Sequence, residues 1–466
     1  MKAFSFIAVA LGAVLGGTAV AQPGTQPAPG APASPAPTPA AADPNAPAPS
    51  AGPETLTLER AIEIAMRQQP NLRLSKAQLE AANGRVDLTR VARLPTIALA
   101  GTVSASNDRA ATTLVNGVPT GGGGNDFFSA SSGTSLSASA SWRIYDFGQT
   151  ALAIRAAELS ADAVAAGVVT ASLDIRTAVE TTYLEAVARR RLVQVAETTV
   201  KSEDGHLDQA RRFVAAQAKD PIEVAQAQSR DANAKSALAQ AQSNEAIALA
   251  NLRSAIGWVE PNNSPIVSAS WPTPSEADPP PLGALVDTAR KRRPEIVQLD
   301  KQLAASDANV EAAHAERRPT LQANAGVAWA PGQSDWSPEP TWQASLSLNW
   351  QLFDGGRSAA DVRIARANMQ SAIAQRDQLL VTLTSQLDSA RSQIVADRAN
   401  VQASTEAVTA ARAQLQLAEA RYAQGLGSQI ELADAQTAVT TAEGNLVSAE
   451  FQLATAWAQL RRSTAQ

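Results

Sequence analysis

The chain has 466 residues, no cysteine and a formal net charge of −5. Without cysteine there can be no disulfide, thiolate metal site, thiol nucleophile or acylated N-terminal cysteine of the bacterial lipoprotein kind, and the acidic balance offers no basic stripe for nucleic acid. Aromatic residues are only 4% although apolar residues reach 45%, a composition that suits long helices packed closely through small side chains.

Residues 1–21 read as a secretory signal: Lys2 supplies the positive start, residues 3–20 are almost all apolar or small, and Ala19-Val20-Ala21 fits a small-x-small cleavage site. The competing reading, a membrane anchor, is disfavoured because the apolar run is short and ends at that site. No later stretch has the length of uncharged apolar residues that a transmembrane helix needs, so an exported protein of this kind would span a membrane only as strands. Residues 22–53, about one-third proline, read as an extended linker without a packed core.

Two helices are expected next, 58–68 and 71–93, stopped at Pro70 and Pro95. Then come segments of period two. Leu136, Ala138, Ala140, Trp142 and Ile144 share one face, and serines and Arg143 take the other. Ile97, Leu99 and Val103 alternate in the same way with small polar residues. Each segment is about ten residues, enough to cross a bilayer as a tilted strand. The tryptophans in and beside them suit an interfacial girdle. A soluble amphipathic sheet would alternate equally well. Residues 107–133, with Gly121 to Gly124, are expected to be a flexible loop. A long helix follows, broken at Lys219-Asp220-Pro221, and a final helix returns.

The whole order then repeats. IEVAQAQ at 222–228 returns as IELADAQ at 430–436, an offset of 208 that also carries Trp142, Tyr145, Asp146 and Gly148 onto Trp350, Phe353, Asp354 and Gly356. Pro70 and Pro95 match Pro294 and Pro319 at 224, so only a loop in the segment between Pro95 and Trp142 changed length. The expected organisation is a first repeat at 54–257 with a β-hairpin at 96–145, a linker at 258–281, and a second repeat at 282–466 with a hairpin at 320–353. Trp350 and Leu352 are included in the last strand. The long helix of the second copy carries Ile373, Leu380, Leu387, Ile394, Val401, Val408, Leu415 and Tyr422 seven apart, a coiled-coil seam sustained over some seven heptads. Val179, Val193 and Leu207 trace it more weakly in the first copy. Gly425 and Gly427 break the second helix, so each copy should form an antiparallel helical hairpin with an exposed tip. Four strands cannot close a membrane barrel, because edge N–H and C=O groups would face lipid. If the strands are transmembrane, several chains must share one barrel.

This order resembles the TolC-like outer-membrane efflux protein family over nearly everything from Leu56 onward. The resemblance rests on LTLERAIEIAMRQQPNL at 56–72, on LP and RP before each first strand, on YDFG and FDGG after each second strand, and on RYAQGLGSQIELADAQ at 421–436. It implies a mainly α fold with a membrane β portion: a homotrimer with a 12-stranded β-barrel continued by a coiled-coil α-barrel through the periplasm. The protein would be a passive exit duct in the outer membrane of a Gram-negative bacterium, without cofactor or enzymatic activity. Its partners would be a periplasmic adaptor (membrane fusion protein) and an inner-membrane pump. The outer-membrane channel of type I protein secretion and, from another class, a periplasmic coiled-coil adaptor are the competing readings. The tips, with Gly425, Leu426, Gly427 and Ser428 in one copy and Lys219 and Asp220 in the other, would contact the adaptor.

Glu431 and Asp434 are three apart and share a face of the returning helix. Similar members of the family carry acids near here that ring the closed entrance, and a ring of carboxylates would favour cations. A merely solvated face is the alternative. Glu223 persists in the first copy while Gln226 replaces the second acid. His206 and His314 lie far apart, without companion metal ligands, and read as packing or surface residues. Asp146-Phe147-Gly148 mimics a kinase motif without its partners; a capping aspartate and a glycine turn explain it and its repeat.

Overall fold

A computed structural model of the protein describes residues 55–108, 114–115, 118–119, 129–258, 266–267, 271, 278–330 and 339–465. The expected signal, linker and most of the long loop lie outside these residues. In chain order the elements are β1 (Thr55–Leu56), α1 (Leu58–Gln68), α2 (Pro70–Val91), β2 (Thr96–Asp108), β3 (Leu114–Val115), β4 (Val118–Pro119), β5 (Ser129–Tyr145), α3 (Gln149–Ala215) and α4 (Ile222–Ile256). They continue with β6 (Ile266–Val267), α5 (Leu282–Arg292), α6 (Pro294–Ala315), β7 (Thr320–Ala330), β8 (Glu339–Asn349), α7 (Arg357–Ala423) and α8 (Gln429–Thr464).

Pro70 and Pro294 open helices rather than only stopping them. A proline at the first helical position loses no bond, because that N–H has no intrahelical partner, and it holds the preceding residue extended. Gln69 and Arg293 accordingly sit near φ −61°, ψ 120° and φ −66°, ψ 121°, each ending one helix and starting the next. The short β1 pairs in parallel with β6. Near it, Tyr183 donates its hydroxyl to the Leu56 carbonyl at 3.0 Å in an apolar cluster that includes Val179, Val187, Leu252 and Ile256.

β2, β5, β7 and β8 form one antiparallel four-stranded sheet in that order. Its register places Leu99, Ala138, Val327 and Trp342 in one cross-strand row, and Trp142, Ala323 and Leu346 in another. This apolar face is open to the surroundings: Ile97, Val103 and Trp342 are each about four-fifths exposed. The opposite face presents Ser137, Ser139, Asn324, Ser345 and Ser347. Among the described residues β2 and β8 are unpaired on their outer sides. No described helix is long and apolar enough to cross a membrane.

Three boundaries differ from expectation. β2 and β5 are 13 and 17 residues long, because pairing continues from Val103–Thr134 out to Asp108–Ser129. Small polar residues fill that extension, so no apolar alternation marks it. The expected loop at 107–133 is shortened accordingly, and β3 pairs with β4 inside it. β8 ends at Asn349, leaving Trp350 and Leu352 outside the strand. The Trp350 indole N–H instead donates to the Arg317 carbonyl at 3.2 Å, and Gly355 and Gly356 turn the chain into α7 at φ +66° and +93°.

α3 and α7 are 67 residues each, on the order of 100 Å at ~1.5 Å per residue. Their bounds differ by the same offset of 208. α2 and α6 pack along one half of them, α4 and α8 along the other, and α3 also meets α6 and α8. Of the expected seam, Leu387, Ile394 and Tyr422 are fully enclosed and Val408 is buried, while Ile373, Leu380, Val401 and Leu415 are half-buried; Leu383, three residues after Leu380, is fully enclosed as well. Where α4 ends, Gly257 sits at φ +79°, and a Cβ there would come within 3.1 Å of the Gln69 backbone. Gln69 also donates its side-chain amide to the Ala255 carbonyl at 2.9 Å. The second copy makes its joint with charge: Arg462 donates to Glu295 at 2.5 Å and to Asp174 at 2.7 Å.

Candidate channel entrance and the sheet-to-helix joint

The two hairpin tips turn alike. Gln217 and Gly425, 208 apart, are both left-handed at φ +57° and +73°. Their helices close with Ala218 N–H on the Phe213 carbonyl and Leu426 N–H on the Arg421 carbonyl, each at 2.9 Å. Gly427 is needed for close approach, since a Cβ would meet the Tyr422 nitrogen at 3.0 Å. Asp220 and Ser428 start the returning helices: Asp220 accepts from the Ile222 N–H at 2.9 Å, and Ser428 from the Glu431 N–H at 3.1 Å. Ile222, Leu426 and Ile430 are left exposed around the tips.

The tips are also tied to each other. Tyr422 donates its hydroxyl to Glu223 at 3.0 Å. Lys219 donates to the Gly427 carbonyl at 3.2 Å, lies 3.5 Å from Glu223, and sits 5.4 Å above the Tyr422 ring. Phe213 meets that ring edge-on at 5.5 Å. Burial, then the hydrogen bond and negative charge of Glu223, push the Tyr422 hydroxyl well above the usual phenol range, so it remains a donor at any physiological pH.

The three acids singled out in the sequence thus fall in different settings. Glu223 is held in the brace, its side chain only 16% exposed. Glu431 is 43% exposed and paired with Arg421 at 3.2 Å. Asp434 is exposed and borders a groove between α7 and α8 lined by Ala407, Thr437 and Ala438. Arg421 and Tyr422 open the segment that resembles a helical tip, but nothing in the sequence marked them as partners of Glu431 and Glu223, and Phe213 was not singled out at all.

At the other end, Asp146 accepts from the N–H groups of Gly148 and Thr150 at 3.1 and 2.8 Å, and from the Thr150 hydroxyl. Asp354 repeats this with Gly356 at 2.9 Å, Ser358 at 2.7 Å and the Ser358 hydroxyl. Those bonds hold the Asp354 carboxyl down to about 2. At Asp146, burial works upward but the bonds from Thr150 and Gly148 outweigh it, and the net shift is downward. Trp142 and Trp350 brace the same joints by donating to the carbonyls of Arg93 at 3.0 Å and Arg317 at 3.2 Å. Among the described residues no group of three or more histidine or acidic side chains is placed to hold a metal.

A sheet with an apolar open face and, among the described residues, two free edges, set at one end of two helical hairpins, is what a subunit that shares a membrane barrel would present. Lipid leaves edge groups no partner but another strand. The chain belongs to the outer membrane efflux protein family, whose model matches residues 61–258 and 285–466, one match to each repeat. It is 29% identical to protein CyaE of Bordetella pertussis over 82% of this chain and 78% of that one. It is 26% identical to the pyoverdine export outer membrane protein OpmQ of Pseudomonas putida over 84% and 82%. Its fold matches the CmeC outer membrane channel of Campylobacter jejuni with a TM-score of 0.73, covering 87% and 85% of the two chains at 17% identity. The protein is therefore a trimeric outer-membrane channel that reaches into the periplasm and works with an adaptor and an inner-membrane pump. It is a channel rather than an enzyme.

Proposed function

We propose that this channel is the exit duct for small molecules in an efflux assembly, and that the helical tips form its closed periplasmic entrance. The likeness to a pyoverdine export protein over 84% of this chain carries the choice of small molecules over polypeptides. The two repeats, 54–257 and 282–466, serve as pseudo-equivalent halves of each subunit. Three copies of Glu431 and Asp434 place carboxylates around the entrance, and Glu223 supports it by bracing one tip on the other. Gly425, Leu426, Gly427 and Ser428, with Lys219 and Asp220, make up the surface that receives the adaptor, and exposed Leu426 and Ile430 give that surface apolar purchase.

Deleting the gene and measuring both small-molecule accumulation and the secreted proteome tests this reading. Raised accumulation of dyes or siderophore-like compounds, with an unchanged set of secreted polypeptides, is the expected result. Loss of one secreted polypeptide with unchanged accumulation would instead make the protein a type I secretion channel.

A further inference from the structure

Within the first hairpin the coiled-coil seam is interrupted by charge. His206 and Glu203 on α3 are 7% and 5% exposed. The imidazole Nδ1 lies 3.8 Å from Glu203 and Nε2 lies 3.7 Å from Glu419 on α7. Arg230 on α4 approaches the same Glu203 oxygen at 3.5 Å, and neither that oxygen nor the Arg230 Nε has a hydrogen-bond partner. In the second copy the corresponding residues are Ala411, Gln414 and Ala438. There Ala411 packs with Val408, Val439 and Ala442. The polar layer therefore belongs to one hairpin, and only its Glu419 contact leaves that hairpin for the other.

We propose that His206 is a proton-operated clasp between the two hairpins of each subunit. With a neutral imidazole the layer holds two carboxylates against one guanidinium, and a single ring N–H can serve only one of them. Protonation balances the charge and lets the ring bridge Glu203 and Glu419 together. Acid thus fastens α7 to α3 within the last three turns before the tips, and a neutral medium releases it. The other groups facing the layer do not compete. α8 meets α3 here through the uncharged pairs Ser202–Gln436 and Thr199–Thr440. Lys235 is occupied with Asp204 and Asp231. Imidazole is the side chain whose unperturbed charge change falls between about pH 5 and 8.

The clasp rests on the tips being the closed end of the duct, so the test includes a tip variant. Parent, His206→Gln, Glu419→Gln and Tyr422→Phe trimers are reconstituted in planar bilayers, and open probability is recorded from about pH 5 to 8. The parent should open with rising pH by up to ~tenfold per pH unit for each linked proton. His206→Gln and Glu419→Gln should be flat and open, while Tyr422→Phe should open more yet keep the slope. Glu419 is half-exposed, so its variant decides the matter if His206→Gln does not assemble. A slope retained in both layer variants, or a flat parent beside a responsive Tyr422→Phe, overturns the clasp alone. If Tyr422→Phe also leaves opening unchanged, the placement of the entrance fails with it.

Discussion

The hydroxyl of Tyr422 donates to Glu223 across 3.0 Å, so the last seam residue of one hairpin holds the first turn of the other hairpin's returning helix. Both groups are largely enclosed, and Lys219 closes the set from the side. Hydrogen bonds to charged groups contribute about 1.5–3 kcal/mol, enough to bias a closed tip strongly. Tyr422→Phe should keep the Phe213 ring contact and the trimer while increasing resting conductance and sensitivity to large antibiotics from outside. Unchanged conductance in bilayers would show that the brace does not hold the entrance.

The sheet makes a sharper demand. Leu346 is 65% exposed on the apolar face, and its neighbour Ser347 points to the other side. Arginine on the lipid face near the bilayer midplane costs roughly 2–4 kcal/mol. Leu346→Arg should therefore reduce the heat-modifiable trimer in outer-membrane fractions, and Ser347→Arg should leave it intact with altered conductance. Equal trimer yields would reverse or abolish the assignment of faces.

Acid should act on the sheet-to-helix joint through Asp354, whose carboxyl is held at about 2 against an ordinary 3.8. A depressed folded value stabilises above the ordinary range, and that contribution is lost as pH falls from about 4 to about 2. Asp354→Asn lacks the charge at every pH. Its trimer should melt below the parent at neutral pH, and the two melting curves should converge near pH 2. A constant gap down to that pH would mean that the cap's bonds with Gly356 and Ser358 do not depend on its charge.

Much of this architecture is legible in the sequence. The offset of 208 carries α3 onto α7 residue for residue, and the seven-residue spacing from Leu387 to Tyr422 is the spacing of buried and half-buried positions. Asp146 and Asp354 announced their caps because a cap is local. The strand lengths were not legible, since residues 104–108 and 129–133 alternate nothing apolar. Neither was the role of Glu223. Its partner lies 199 residues away in sequence, and no local pattern separates a bracing acid from one facing a pore. His206 was hidden for the same reason, its neighbours coming from three helices.

Glu431 and Asp434 remain the acids with side chains open to solution at the returning helix, one tethered at 3.2 Å to Arg421. Threefold symmetry multiplies them into six carboxylates, against three arginines that neutralise part of that charge. Net negative potential around a narrow opening draws cations in and turns anions away. The channel should therefore be cation-selective, and multivalent cations should block it from the periplasmic side. Glu431→Gln with Asp434→Asn should weaken both effects, and because the double variant also frees Arg421, selectivity should shift toward anions rather than to neutrality. Arg421→Gln should do the opposite and strengthen cation preference. High salt must mask these differences, since ~1 M salt screens charges beyond about 3 Å. Reversal potentials at low and high ionic strength are the measurement. If the double variant keeps the parent's selectivity at low salt, the two carboxylates lie on an outer solvated face, and the constriction must be formed by other residues of the tips.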